Sequence, residues 1–284
     1  MSVEFQAIAS GSNGNCFILN SDNGAILIDP GISRKRIVEG LKRINIKNDD
    51  IIGILVSHAH IDHIKGLAVL SDWVKAPVFM SNCTRGYLYE NGHNKKDIRW
   101  DRIAEKAYII DSNQRYRIGS FQFELIETYH DIPGAMGFRI GHLPSRVITS
   151  IVTDTGKLSK KAIKQLSQSD IAIIESNYDS NALKISNRPP SLKARIKKYH
   201  LSNDDTSEIL SQISGNQLKG IILGHLSGEC NSSDLVRKWV HNWSKFHEPP
   251  WNWFLSPRNL PSDYIRVTKD GISVKNKFAG EIDY

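Results

Sequence analysis

The chain has 284 residues, of which 40% are hydrophobic and 24% are charged, and its formal net charge is +7. This length and composition are typical of a globular protein with a sizeable core. The three cysteines are scattered and lack CxxC spacing, which argues against a disulfide framework and a cysteine-built zinc site.

The N-terminal segment lacks the basic residues and the long apolar stretch of a signal peptide. No apolar run approaches the roughly 18 residues that a membrane span needs. We therefore expect a cytoplasmic protein with no membrane partner. The positive charge favours a polyanionic partner, because lysine and arginine gain binding energy when phosphates release counterions.

Short strands separated by turns are predicted at the start of the chain. The runs at 3–10, 16–20 and 25–31 have strand character, and the second and third are joined by the hairpin turn SDNG. Apolar residues at helical spacing then predict a helix over 33–45, with Ser33 as its N-cap.

Strands and helices alternate in the rest of the chain. A buried strand is predicted over 51–58, a helix from about 62 and a strand over 76–81. Further strands are predicted at 107–111, 116–130, 137–142, 147–156, 171–176 and 220–225, helices at 158–168 and 204–213, and a closing hairpin at 264–274. A β-rich part followed by βα units occurs twice, which indicates one domain over 1–284 with a two-sheet core and outer helices.

The segment LVSHAHIDHIKG, residues 55–66, places three histidines and an aspartate, all good metal ligands, within six positions. His58 and His60 lie two apart on extended chain, so their side chains project to the same side and can hold one ion. Asp62 and His63 lie on the turn into the next helix and are carried toward a neighbouring position. Imidazole and carboxylate ligands suit Zn²⁺ best, with Mn²⁺ or Fe²⁺ as alternatives.

Further ligand types end other predicted strands. His58, His130, Asp154 and His225 each follow a separate strand, and strand ends are where open sheets present functional groups. The set offers more ligands than one tetrahedral ion accepts. We therefore expect two divalent ions, with an acidic residue and a water between them.

The pattern H-x-H-x-D-H over 58–63 resembles the signature of the metallo-β-lactamase superfamily. The resemblance implies an α/β (α+β) fold, a four-layer αββα sandwich with a dinuclear site along one sheet edge. It implies that His58, His60 and His130 bind the first metal, that Asp62, His63 and His225 bind the second, that Asp154 bridges both, and that Asp29 orients the site from behind.

Five motifs resemble the YycJ-like (WalJ-like) branch of this superfamily: ASGSNGNC, TDTG, ESNYD, HLSND and GHLSGECN. That branch implies a metal-dependent 5′-exonuclease acting on DNA. The sequence departs from the branch at two places. Tyr178 stands where the branch has His, and the segment between Arg195 and His200 is shorter. Either departure would alter strand preference or activity if it lies against the substrate.

Other polar motifs have both a functional and a structural interpretation. The loop SGSNGN can present N–H groups to a phosphate or can be a tight hairpin loop. The substrate-binding residues expected from these motifs are Ser12, Asn13, Asn15, Asn177, Ser202 and Asn203, although Ser202 and Asn203 also suit a helix cap. Glu175 either lines the cleft or belongs to a strand-end turn. The aromatic segment at 248–254 either stacks on bases or packs in the core or in an oligomer interface.

The leading hypothesis is a dinuclear metal phosphodiesterase that cleaves DNA, in preference to RNA, as a 5′-exonuclease. A hydroxide bridging the two ions would be the nucleophile, Asp62 would position it, and His200 would stabilise the leaving group or a phosphate. The runner-up is a small-molecule hydrolase of the same fold, either a glyoxalase II-like thioesterase or a β-lactamase. Asp154 argues against the lactamase, whose family lacks this bridging carboxylate.

Overall fold

The computed structural model describes residues 1–95, 97–213, 217–258 and 260–277, with backbone alone for 91–95. Strands are numbered in chain order, and within these residues they form two mixed sheets. From edge to edge, the first sheet contains β15 (Ile272–Asn276), β14 (Tyr264–Val267), β1 (Val3–Ala9), β2 (Cys16–Ser21), β3 (Gly24–Ile28), β4 (Ile51–Leu55), β5 (Val78–Met80) and β6 (Tyr108–Ile109). The second contains β13 (Asn252–Leu255), β12 (Gly220–Gly224), β11 (Ile171–Glu175), β10 (Ile148–Val152), β9 (Met136–His142), β8 (Phe121–Glu127) and β7 (Tyr116–Ile118).

The helices lie outside the two sheets, most of them on the outer sheet faces and two beside a separate small cluster that includes Tyr178 and Cys230. They are α1 (Arg34–Arg43), α2 (Ile61–Ile64), α3 (Leu67–Leu70), α4 (Asn82–Lys95), α5 (Ile98–Lys106), α6 (Lys160–Ser167), α7 (Ser180–Ile185), α8 (Pro190–Tyr199), α9 (Asn203–Ser211) and α10 (Ser233–His247). Ile37 and Leu41 of α1 pack on the first sheet, and Leu166 of α6 and Val240 of α10 pack on the second. The helix–sheet–sheet–helix order confirms the predicted four-layer αββα sandwich.

The core between the sheets is aromatic and aliphatic. Phe5 and Phe17 from the first sheet and Phe121, Phe123 and Phe138 from the second are fully buried there. Alternate strand residues point to opposite faces, so each strand contributes one set of side chains to this core and another to the helical layer. Both faces of the sheets are therefore apolar, in agreement with the continuous apolar runs in the sequence.

Most predicted strands are confirmed, and the differences have local causes. The run at 116–130 is two strands, because Gly119 has φ +55 and turns the chain between β7 and β8. The helix predicted from about 62 is two short ones, α2 and α3. Helices α4, α5, α7, α8 and α10 have no counterpart among the helices predicted from the sequence. The segment 248–254 enters β13 with Trp251 and Trp253 buried, which confirms its interpretation as core packing.

Both sheets combine antiparallel strands with a parallel group. In the first sheet β3, β4, β5 and β6 run parallel, and in the second β10, β11, β12 and β13 do. The loops that follow β4, β8, β10 and β12 carry five of the predicted metal ligands, and α2 carries Asp62 and His63. The loop that follows β3 carries Asp29. No helix among the described residues is long and apolar enough to cross a membrane. The single-domain prediction spans residues outside the described ranges and stays a prediction.

Candidate metal centre

Three histidines from two separate loops form the first group. His58 Nε2 and His130 Nε2 each lie 3.1 Å from His60 Nδ1. His58 lies on the loop after β4, and His130 lies three residues beyond β8. Burial holds the pKa of His58 well below its ordinary value, so its imidazole is in the neutral form that binds metals.

A second group lies beside the first and shares a carboxylate with it. His63 Nε2 is 3.6 Å from Asp62 Oδ2, and His225 Nε2 is 3.9 Å from the same oxygen. Asp154 lies between the groups, with its carboxylate oxygens 3.1 Å from His63 Nε2, 3.4 Å from His225 Nε2 and 3.8 Å from His130 Nε2. The seven predicted ligands are thus brought together from distant parts of the chain.

Three residues of the site have a strained backbone conformation, which sets the direction of their side chains. Asp29, Asp154 and His225 have φ angles of 50°, 55° and 56°, which lie in the left-handed region that residues other than glycine rarely adopt. Each follows directly or closely after a parallel strand. Such conformations cost about 1–3 kcal/mol each and persist where the surrounding structure enforces them. The sharp bends turn these side chains across the sheet edge.

Carboxylates behind the histidines fix the ring orientations. Asp29 Oδ2 lies 2.8 Å from His63 Nδ1 and also accepts a hydrogen bond from Ser57 Oγ. Glu175 Oε1 lies 2.6 Å from His225 Nδ1 and 2.7 Å from His200 Nδ1. A carboxylate at one ring nitrogen leaves the other nitrogen directed toward an ion. Asp29 therefore lies where the sequence predicts, and Glu175 has an equivalent position behind His225 instead of lining the cleft.

The donor set fits bound divalent ions. His225 Nε2 and Asp154 Oδ2 are buried and make no hydrogen bond of normal geometry in the described structure, although His63 Nε2 lies 3.1 Å from Asp154 Oδ2. Buried polar atoms are normally paired, so two such atoms facing a common centre indicate groups that bind something other than protein. Imidazole nitrogens and carboxylate oxygens are the donors that Zn²⁺, Mn²⁺ and Fe²⁺ accept.

The electrostatics of the second group favour positive charge. Burial alone would lower the pKa of His63, but Asp154 and Asp29 outweigh it and hold that pKa well above its ordinary value. The pKa of His225 is raised to about 10 because Asp154 and Asp62 likewise outweigh burial. The same positive neighbours keep the pKa of Asp154 well below normal despite its burial. A divalent cation would replace the protons that these carboxylates attract.

The predicted substrate-binding residues divide into two sets. Ser12 and Asn13 are exposed at the tip of the loop between β1 and β2. Asn15 and Asn177 are buried behind the centre, with Asn15 Nδ2 3.0 Å from His63 Nε2 and Asn177 Nδ2 donating to the backbone carbonyl of His225 at 2.8 Å. Asn15 and Asn177 therefore contact His63 and His225, two of the predicted metal ligands.

Ser202 and Asn203 belong to the start of α9. Ser202 is the N-cap and exchanges hydrogen bonds with Asp205, and Asn203 Oδ1 accepts from Ser176 Oγ at 2.6 Å. Both side chains are buried. Helix capping accounts for Ser202, and buried hydrogen bonds from Ser176 and Asn231 account for Asn203, so both residues have structural contacts in the described structure.

His200 lies at the edge of the centre, between the two groups. Its ring stacks on that of His225 with centroids 5.5 Å apart, and its Nδ1 is 4.0 Å from Asp154 Oδ1. Burial would lower the pKa of His200, but Glu175 outweighs it and raises the pKa. A protonated imidazole at this place can donate a hydrogen bond or a proton.

Asp131 and Arg195 form a contact that the sequence motifs did not reveal. Asp131 Oδ1 lies 3.4 Å from His60 Nε2 and 3.3 Å from His130 Nε2, and its Oδ2 accepts a 2.5 Å hydrogen bond from Arg195 Nε. Its position directly after His130 was the available signal. Arg195 comes from α8, sixty-four residues away in the chain, so only the fold could reveal the pair.

Arg258 is a second residue that the sequence did not single out. Its Nη2 donates a 2.8 Å hydrogen bond to Asn13 Oδ1 at the tip of the β1–β2 loop. A side chain at Gly228 would place its Cβ 1.3 Å from Arg258 Nη1, so the guanidinium lies directly against that glycine. Gly228 follows His225 by three residues. The arginine therefore lies between two loops that border the metal centre.

Comparisons with known proteins agree with this geometry. The β-lactamase superfamily domain matches residues 25–221. The chain is 31% identical over 251 residues to exodeoxyribonuclease WalJ of Streptococcus pneumoniae and 30% identical over 239 residues to exodeoxyribonuclease YycJ of Bacillus anthracis, in each case covering 84% of this chain and 87% of the relative. The solved metallo-β-lactamase fold protein YhfI of Bacillus subtilis superposes with a TM-score of 0.65 at 15% identity, over 91% of this chain and 98% of that one. The chain therefore belongs to the metallo-β-lactamase superfamily and, within it, to the YycJ-like (WalJ-like) branch.

Proposed function

We propose that the protein is a 5′-exonuclease that hydrolyses DNA with two divalent metal ions. The observation that carries the proposal is the position of the Asp154 carboxylate between two groups of histidines, with buried unpaired atoms directed at one centre. His58, His60 and His130 would hold the first ion, Asp62, His63 and His225 the second, and Asp154 both. Zn²⁺ is the ion that this donor set prefers, with Mn²⁺ and Fe²⁺ as alternatives.

The residues around the centre have distinct roles in hydrolysis. Bound divalent ions supply an activated water and neutralise charge on the attacked phosphate. Asp62, whose carboxylate is partly exposed, would orient the attacking water while it binds metal. His200, held by Glu175, would donate a proton or a hydrogen bond to the leaving oxygen.

DNA is the proposed substrate on three grounds. Two relatives of nearly full length are named exodeoxyribonucleases. The net charge of +7 favours a polyanion. Arg258, beside the exposed Asn13, offers a guanidinium for a phosphate at the border of the centre. The 5′ polarity and the cytoplasmic location rest on the sequence analysis.

The test is hydrolysis by metal-loaded protein of single- and double-stranded DNA labelled at either end, of RNA, of a thioester and of a lactam. We expect mononucleotides to be released from the 5′ end of DNA with Zn²⁺ or Mn²⁺. Metal analysis of the same samples should give two ions per chain.

Two variants connect the activity to the site. His60→Ala should lose metal and activity together, whereas His200→Ala should retain both ions and lose roughly 10²- to 10⁴-fold in rate. Thioester turnover without DNA cleavage under every metal would favour the small-molecule hydrolase. Release from the 3′ end would contradict the polarity alone.

A further inference from the structure

Two stacked tyrosines lie beside the metal centre, each directly before a histidine of the site. Tyr129 precedes His130 and Tyr199 precedes His200. The two rings have centroids 5.6 Å apart and an interplanar angle of 26°. Tyr129 is 37% exposed, so part of its ring faces solvent at this edge of the centre.

The backbones under the two rings are held firmly. Tyr129 N donates to Thr155 Oγ1 at 2.9 Å, and its carbonyl accepts from Gly156 N at 3.0 Å. A Cβ at Gly156 would lie only 1.9 Å from the carbonyl oxygen of Lys198. The glycine therefore permits the end of α8 to approach the loop after Asp154. This close approach brings Tyr199 onto Tyr129.

A lysine lies over each of the two tyrosine rings. Lys157 Nζ lies 4.3 Å from the centroid of the Tyr129 ring, and Lys198 Nζ lies 4.9 Å from that of Tyr199. Both lysines are exposed. An exposed cation–π contact is weaker than the stacking of a nucleobase on an aromatic ring, so a base would displace the ammonium group. The displaced group could then pair with the neighbouring phosphate.

A cavity adjoins the exposed side of Tyr129. It has a volume of 360 Å³ and is lined by Glu127, Thr128, Tyr129, Lys157, Leu158 and Ser159. This volume lies within the range of small-molecule sites, about 300–1,000 Å³. The Thr128 hydroxyl is buried and has no hydrogen-bond partner in the described structure, so it is available to a ligand.

We propose that Tyr129 and Tyr199 form a stacking platform for a nucleobase of single-stranded DNA beside the first group of histidines. Aromatic surface, exposed lysines and an unpaired hydroxyl together match a nucleotide: a base to stack, a phosphate and further polar groups. The inference rests on the proposed nuclease function. It adds that the enzyme engages an unpaired end, because a base in a duplex is already stacked and paired.

Binding of a single-stranded oligonucleotide tests the platform without requiring cleavage. The oligonucleotide carries phosphorothioate linkages and 2-aminopurine near its 5′ end, and the protein is metal-loaded. We expect Tyr129→Leu to weaken binding roughly 10-fold or more and to reduce quenching of the fluorescent base. Tyr129→Phe should bind like the wild type. The control is Tyr108→Leu, which removes an exposed, ring-stacked tyrosine on β6.

An abasic site tests the same contact from the nucleic acid side. We replace each of the first nucleotides in turn by an abasic residue. At the stacked position, wild type and Tyr129→Leu should bind equally, because the contact is already absent. Equal binding and quenching of the intact strand by wild type, Tyr129→Leu and Tyr199→Leu, while DNA is still cleaved, would overturn the platform alone. A wild-type protein that neither binds nor cleaves DNA would overturn the proposed function and the platform with it.

Discussion

At the scale of single residues, the site depends on Asp154. Its carboxylate is buried, lies in a left-handed backbone conformation and faces histidines from three separate segments. An ionised carboxylate is costly to bury unless positive charge compensates it. The cluster therefore requires cations or protons near Asp154, and two divalent ions would meet that requirement.

Asp154→Asn should reduce metal content to fewer than two ions per chain. The substitution keeps the shape of the side chain but removes the negative charge between two cations, so the affinity for at least one ion falls. We expect DNA hydrolysis to fall about 100-fold or more. Metal analysis and initial rates check both effects. Asp111→Asn, at an exposed carboxylate, is the control. Two ions and a wild-type rate in Asp154→Asn would contradict the bridging role.

Gly228→Ala should move the guanidinium of Arg258 without changing the charge of the protein. The new methyl group would occupy the place of Arg258 Nη1, and a flexible side chain can rotate away at little cost to stability. We expect weaker DNA binding with a shallower dependence on salt, because one phosphate contact is lost. Arg258→Ala should have the same effect.

The matched control for Arg258 is Arg117→Ala, at an exposed arginine on β7. This variant also loses one positive charge but should bind DNA nearly as the wild type does. Affinity measured between low and moderate salt separates the variants. Equal losses from Arg117→Ala and Arg258→Ala would show that net charge, and not the position of Arg258, sets the affinity.

At the scale of elements, the loop after β3 supports the turn that starts α2. Gly31 N donates to the carbonyl of Asn15 at 2.7 Å, and Asn15 N donates to the carbonyl of Asp62 at 2.7 Å. A Cβ at Gly31 would lie 1.6 Å from that same Asp62 carbonyl oxygen. Three segments thus meet at backbone contact distance. The glycine of the sequence LIDPG is what permits this approach.

Gly31→Ala should separate this loop from Asp62 and weaken the second group of ligands. The new methyl group would meet the backbone carbonyl of Asp62, which cannot move aside as the end of a flexible side chain can. We therefore expect a loss of stability of about 1–3 kcal/mol together with weaker metal binding. Thermal unfolding and metal titration measure the two effects. Gly86→Ala, in α4, is the control, because its Cβ would meet nothing within 4 Å. It should be neutral or stabilising, since alanine favours helix.

At the scale of the whole molecule, the two ends of the described chain meet in the first sheet. Glu4 on β1 accepts hydrogen bonds from Lys275 on β15 and from Tyr264 and Arg266 on β14. Burial would raise the pKa of Glu4, but the bonds from Lys275, Tyr264 and Arg266 outweigh it and lower the pKa to about 2. This ionised cluster fastens the closing hairpin to the first strand.

The stability of the protein should therefore fall in acid partly through Glu4. The folded-state pKa of about 2 lies below the ordinary value of 4.5, so the contribution is complete above about pH 4.5 and is lost as the pH falls toward 2. The cluster is partly solvated, so we expect about 1–2 kcal/mol. Glu4→Gln should remove this pH dependence, measured by urea unfolding, whereas Glu105→Gln on α5 should not. An unchanged pH profile in Glu4→Gln would contradict the prediction.

The sequence determined the parts of the protein that depend on local patterns. Alternating and continuous apolar runs predicted most strands, since side-chain period follows directly from backbone geometry. The dense group from His58 to His63 indicated a metal site, because folding alone gives no reason to place such residues together. The sequence also predicted that His130, Asp154 and His225 lie at the ends of strands. In the structure they lie one to three residues beyond the strands.

Only the tertiary structure decided which residues from distant segments meet. Three contacts join distant segments. Arg195 pairs with Asp131 across 64 positions, Arg258 with Asn13 across 245, and Tyr199 with Tyr129 across 70. The local sequence around a tyrosine or an arginine does not show whether the residue lies in a core, on a surface or at a functional site. Its role depends on what the fold packs against it, and that packing is set by the whole arrangement of two sheets and their loops.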